Sequence, residues 1–258
     1  MDLQGANFKY NEVITQTAID DHQAIIEARQ AQERADKLEA ERIAKENALR
    51  LAEKFAPAVK RANVLWPDLL PQITEATSTQ FSLIASDIKK NFICAGSYPA
   101  ALLASVWSKG TNNAASVNLR YNDIDVYYGN FEDGVINRKD CTWTKLKGID
   151  KEVNYISCTN LNVRHMLENC DINVVAVFVE VAVTAKKVSS VNWTVGAEFW
   201  HFLFFDQTLR SWQTDSQART LVRLAYKSYQ MGFPFDEGHL SPLEGELFAS
   251  HYVDEKVI

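Results

Sequence analysis

Residues 12 to 56 run for forty-five positions without a glycine or a proline, and Ala, Glu, Lys, Arg and Gln dominate them. Such side chains lose little freedom in a helix, so the stretch reads as one long helix. Between residues 27 and 54 seven acidic and seven basic side chains alternate in sign, which leaves much of its surface to solvent. Ala28, Ala31, Ala35 and Leu38 follow a 3/4 spacing, but Arg42 occupies the next seam position and Ile43 follows one residue late. The apolar stripe is therefore thin. The expectation is an arm, residues 1–56, that carries no chemistry and packs on its own domain or forms a homo-oligomer. Pro57 is expected to end the helix, and Pro67 and Pro71 to make a joint before a second helix at about 74–90.

From residue 57 the remaining chain is long enough for a sizeable domain, and 47% apolar composition supplies its core. A net charge of −6 gives no overall attraction to nucleic acid or anionic membrane, so any such contact needs a local basic patch. Cys94, Cys141, Cys158 and Cys170 show no C-x-x-C pairing and read as buried, reduced thiols. The N-terminal residues lack the basic start and apolar core of a signal peptide, and no apolar run is long enough to span a bilayer. The expectation is a cytoplasmic protein without a membrane partner, in which the Asn192 sequon has no role.

The patterning then alternates. "NFICAG" reads as a short strand, "YPAALLASVW" as a helix, "NDIDVYYG" and "EVNYISCT" as strands, "NVRHMLENC" as a helix and "DINVVAVFVEVAV" as a long buried strand. Helical patterns return near 196–210 and 215–231, and again at about 241–250. The predicted fold class is α+β: a mixed sheet flanked by helices across 57–185, with a mainly helical C-terminal region, 186–258, packed on it.

Asp123 and Asp125 are two apart, so on a strand both carboxylates leave one face while Ile124 and Val126 leave the other. Two like charges at that spacing repel and resist burial unless a cation lies between them, and Mg2+, which takes oxygen ligands, is the simplest remedy. Alternation on a half-wet strand produces the same pattern, so the pair needs support. Gly96-Ser97 supplies it: at a strand-to-helix turn, backbone N–H groups and the helix dipole make an anion site that glycine lets a phosphate approach. Asp171, opening the long strand, could bring a third carboxylate alongside, with Glu180 nine positions on as its competitor.

Strand, "GS", helix, "DIDVY" and a later aspartate resemble the DNA polymerase β-type nucleotidyltransferase superfamily, with its G-[GS], D-x-[DE] and downstream [DE]. The resemblance covers about residues 90–182. It implies a nucleotidyltransferase-like mixed sheet that moves a nucleoside monophosphate from a triphosphate to an acceptor hydroxyl and releases pyrophosphate. It further implies two Mg2+ ions, with Mn2+ as an alternative, held by Asp123, Asp125 and Asp171, and phosphates held by Gly96 and Ser97. The 25 residues between Ser97 and Asp123 make "SKGTNNAASVNLR" a loop beside the site. Arg219, Arg223 and Lys227 form a basic stripe at i, i+4 and i+8, and "SQARTLVRLAYKSYQMGFPF" resembles the helix after the core in such transferases. The stripe is expected to neutralise a triphosphate, with Arg223 and Lys227 on the nucleotide's phosphates, or an RNA backbone; a solvated helix face is the alternative. The acceptor stays open among an RNA end, a protein and a small alcohol. Two other outcomes are a catalytically silent binding or assembly module and an alarmone-type pyrophosphokinase.

Other patterns carry less. The five histidines lack H-x3-H spacing, His165 reads as a helix-surface residue, and no nucleophile-elbow, Walker or dinucleotide fingerprint occurs. "FWHFLFF" reads as core, and Tyr127 as a cross-strand packing residue, with the border of the pocket as its alternative.

Overall fold

The computed structural model describes residues 3–110, 117–132, 138–168, 170, 172–211 and 217–236. The chain divides into two compact units, Met1–Lys54 and Phe55–Ile258. In the first, every residue of 21–43 is exposed, and its charges pair along the helix, as in Arg29 with Glu33 and Arg42 with Glu39 and Glu46. Ile25 and Leu38 stand in solvent there.

Helix α1 spans Leu3–Ile88 with Pro57, Pro67 and Pro71 inside it, so the expected stop at Pro57 and the joint at Pro67 and Pro71 are corrected. A proline inside a helix loses a hydrogen bond and crowds the preceding turn, at about 3 kcal/mol. Against that, Phe55, Ala58, Ala62, Leu69, Ile73, Phe81, Ile84 and Ala85 recur at helical spacing and are all buried. Each large one contributes about 1.5–3 kcal/mol on burial. The face they form holds the helix through its prolines.

Six strands form one mixed sheet in the order β3-β4-β2-β1-β5-β6: β1 (Phe92–Ala95), β2 (Asp123–Asn130), β3 (Arg138–Thr144), β4 (Glu152–Asn160), β5 (Val177–Thr184) and β6 (Lys187–Val195). Only β2 and β4 run parallel; the other neighbours are antiparallel. Between them lie α2 (Ser97–Gly110), α3 (Val163–Glu168), α4 (Ala197–Phe204) and α5 (Gln217–Met231). The α+β class with a long N-terminal helix is as predicted. One face of the sheet, carrying Phe92, Cys94, Ile124, Val126, Val153, Tyr155, Val179 and Val181, packs on Phe81, Ile84 and Ala85 of α1. Of the "FWHFLFF" segment, Phe199, Trp200, Phe202 and Leu203 are buried in the core, whereas Phe205, just beyond α4, is exposed.

Three details differ from the sequence reading. The long strand expected from Asp171 begins only at Val177, after a 3-10 turn at Asn173–Val175. Asn173 is the reason: it is buried, its side-chain amide donates to the Thr208 carbonyl, and its Oδ1 accepts from the Arg210 N–H, both at 3.0 Å. Its own backbone N–H also donates to the Arg210 carbonyl at 3.0 Å, so the donor that a sheet ladder would use is already committed to the loop. Secondly, β6 lies in the stretch expected to be mainly helical. Thirdly, of the four thiols expected to be buried, Cys94 and Cys158 are, Cys170 is partly so, and Cys141 is exposed on edge strand β3. All four are free. Among the described residues no helix is long and apolar enough to cross a membrane. The helical pattern at 241–250 lies outside the described residues.

Candidate active site

Register brings the two sequence motifs together. Ala95, the last residue of β1, pairs with Asp125 of β2, so the turn that follows β1 opens beside the carboxylates. Gly96 forms that turn with φ +85°, backbone that side chains with a Cβ adopt only under strain. A Cβ added there would stand 3.4 Å from Asp125 Oδ2. Ser97 starts α2 and is buried. The Gly-Ser turn and the D-x-D strand thus lie side by side.

A cavity of about 200 Å3 lies between them, lined by Gly96, Ser97, Asn122, Asp123, Asp125, Val175, Arg223, Tyr226, Lys227 and Gln230. Of the predicted phosphate-binding residues, Gly96, Ser97, Arg223 and Lys227 all border it. Helix α5 delivers the basic pair because Leu224, Ala225 and Met231 are buried, which turns Arg223 and Lys227, four apart, toward the sheet. The Lys227 ammonium donates to Ser97 Oγ at 2.7 Å and to Gln230 Oε1 at 3.1 Å. A cation, a hydroxyl and a helix N-terminus therefore converge on one wall, and two carboxylates form the other.

The electrostatics follow from burial. Burial raises the Asp125 carboxyl above its ordinary value of 3.8, and the Asp123 charge raises it further; the Asn154 hydrogen bond, Arg138 and Lys227 act in the opposite direction. Asn154, in register with Asp125 on β4, donates its amide N–H to Asp125 Oδ1 at 2.9 Å. Oδ1 is thus held from the β4 side while Oδ2 lies toward Gly96. Asn154 is itself buried, and its own Oδ1 has no hydrogen-bond partner among the described residues. Tyr127 is buried on the same face, with its hydroxyl accepting from Arg138 at 3.1 Å. Burial first and Asp125 second push that phenol up to about 12.

The residues fit a divalent cation. Two carboxylates share one face, one of them raised by burial and by its neighbour, and a hard cation relieves that repulsion. Among the described residues no group of three or more His, Cys, Asp or Glu side chains forms a metal site, and Asp171 lies outside the described residues. Glu180, its competitor, lies away from the pair, lining a separate cleft of about 730 Å3 with Arg164, Asn162 and Thr194. Arg219's side chain is also outside the described residues.

A pH dependence follows. An acid whose folded pKa is raised favours the folded state in its protonated form, so this contribution is complete below pH 3.8 and is lost as pH rises through the folded value. Metal binding needs the ionised form, so the acid limb of metal binding to the free protein is expected above the ordinary aspartate value of 3.8. Replacing Asn154 with leucine removes an interaction that favours ionisation and should move the limb to higher pH. A pH profile of metal binding that stays in place in Asn154→Leu would contradict the assignment.

Sequence reasoning missed Asn122, Asn154, Arg138, Tyr226 and Gln230. Asn154 alone had a readable signal, a polar residue at an inward position of an otherwise apolar strand.

No family model and no curated protein matches the chain. Among solved structures it is similar to a CCA-adding enzyme in complex with ATP (14% identity, TM-score 0.40, covering 73% of this chain and 46% of that one). It is similar also to the CTP complex (15%, 0.39, 73% and 44%) and to the Thermotoga maritima CCA-adding enzyme complexed with tRNA (13%, 0.37, 70% and 42%). The chain spans less than half the length of each.

Proposed function

We propose that the protein is a metal-dependent nucleotidyltransferase that moves a nucleoside monophosphate from a nucleoside triphosphate to an acceptor hydroxyl. The observation that carries this reading is the one cavity in which the Asp123 and Asp125 carboxylates face the Gly96-Ser97 turn, with Lys227 joined to Ser97 on the wall opposite them. The Gly96-Ser97 backbone, the Ser97 hydroxyl, Lys227 and Arg223 hold the triphosphate and offset its charge. Asp123 and Asp125 would hold Mg2+ or Mn2+, and Asp171 would be the third ligand on the family pattern. A metal held there would lower the pKa of the attacking hydroxyl and stabilise the leaving oxygen. The acceptor oxygen bonds to the α-phosphorus as the bond from that phosphorus to the bridging oxygen breaks. Pyrophosphate leaves, and the hydroxyl proton passes to Asp171 or to water. Positioning and charge neutralisation supply most of the rate.

The test is incubation with each of the four α-labelled triphosphates, Mg2+ or Mn2+, and separate acceptor pools of RNA, protein and small alcohols. Release of pyrophosphate with transfer of the α-label is the expected result. Transfer of a β,γ-label instead would assign an alarmone-type pyrophosphokinase. Binding of triphosphate without transfer to any pool would assign a silent module.

A further inference from the structure

The pairing register that aligns Asp125 with Ala95 extends outward through the other half of the sheet. Asp125 pairs with Asn154 of β4, and Asn154 pairs with Trp143 of β3. Register partners share a face, so Trp143 stands on the carboxylate face, two strands from Asp125 and roughly 10 Å away at the ordinary strand spacing. β3 is an edge strand, and Trp143 is 54% exposed on it. Arg138 and Cys141 pair with Cys158 and Ile156 and so lie on the same face. None of the residues that line the nucleotide cavity comes from β3 or β4.

That asymmetry assigns sides. On the nucleotidyltransferase reading, on which this inference rests, Gly96, Ser97 and Lys227 place the triphosphate on the β1 side of Asp125. In-line displacement puts the attacking hydroxyl opposite the leaving pyrophosphate, which is the β4–β3 side. There the protein offers an exposed indole within about one nucleotide's length of the carboxylates. Residues 138–152 also carry Arg138, Lys139, Lys145, Lys147 and Lys151 against Asp140, Asp150 and Glu152, the last of which pairs with Lys145 at 3.9 Å, in a chain whose net charge is −6. A broad aromatic face among cations matches a base attached to a phosphate backbone.

We infer that β3 is the acceptor platform and that the acceptor is the 3′ end of a single-stranded polynucleotide, with its terminal base stacked on Trp143 and its backbone held by the basic residues around it. The chemistry is common to RNA and DNA ends. A fluorescein-labelled single-stranded 12-mer of each kind, titrated into the full chain without triphosphate or metal, separates them. Trp143→Ala should weaken binding about tenfold or more, within the range for loss of one base–aromatic stack, while Trp143→Phe retains most of it. Lys145→Gln with Lys147→Gln should flatten the salt dependence. Circular dichroism of each variant checks the fold.

Absence of binding by both oligomers, or binding equal in parent and Trp143→Ala, overturns the platform. Trp143-dependent binding of one oligomer supports it and identifies the sugar. Transfer is measured separately on the bound oligomer: binding without transfer would sink the nucleotidyltransferase reading and leave a polynucleotide site at β3. Transfer to a protein or small alcohol, undiminished in Trp143→Ala, would sink the acceptor assignment and leave the transferase.

Discussion

Asp123→Asn together with Asp125→Asn is expected to abolish nucleotidyl transfer, by about a thousandfold or more, while leaving the metal-free protein at least as stable as the parent at neutral pH. The two effects share one cause. Asp125 is raised by burial and by the Asp123 charge, so the ionised pair is a cost that the fold bears in the absence of a cation. Asparagine keeps the shape and removes both charges. Asn154 can still meet the new amide by turning its own, since the Asn154 oxygen has no partner among the described residues. Without the carboxylates nothing on this wall holds a metal, and the transition state loses several kcal/mol of charge stabilisation. Calorimetry with and without Mg2+ gives the stability half, and transfer of α-label the activity half. Added Mg2+ should raise the Tm of the parent and leave that of the variant unmoved. A variant that loses its fold, or a parent whose Tm ignores Mg2+, would contradict the assignment of the pair as a metal site.

The pair was legible because a strand's period of two makes D-x-D a statement about one face whatever else the fold does. Gly96 was legible for a similar reason: a left-handed turn between a strand and a helix needs glycine locally. What the sequence left dark was fixed by non-local contacts. α1 continues through three prolines because its buried face outweighs their local penalty. β3 is exposed along nearly all its length, so its residues have no apolar period to betray a strand; hydrogen bonds to β4 alone define it. β6 is joined to β5 by Ala185-Lys186, both at positive φ. This is a tight hairpin built without the Asn-Gly or Asp-Gly signal that would have announced it. Asn154 and Trp143 gained meaning only from register, which no single strand's pattern encodes.

The second large effect concerns Lys227. Its ammonium reaches Ser97 and Gln230 and lines the cavity beside Arg223, so Lys227→Met keeps much of the stem's packing and removes the charge together with the two hydrogen bonds it donates. A charge-assisted hydrogen bond contributes roughly 1.5–3 kcal/mol, and the expected loss in kcat/KM for the triphosphate is therefore about ten- to a hundredfold. The loss should appear chiefly in KM if Lys227 grips the ground-state phosphates, and in kcat if its grip tightens on the leaving pyrophosphate. Lys227 also lowers the Asp125 pKa, so the acid limb of the variant should lie higher than that of the parent, the same direction as for Asn154→Leu. Arg223, which borders the cavity from one helical turn away, provides the control. If the lysine acts through the carboxylates alone, Arg223→Gln leaves KM unchanged and Lys227→Met shifts only the pH profile. If α5 holds the phosphates, both variants raise KM while binding of an oligonucleotide at β3 is unaffected. A Lys227→Met protein with parental kcat/KM at every pH would remove α5 from the nucleotide site.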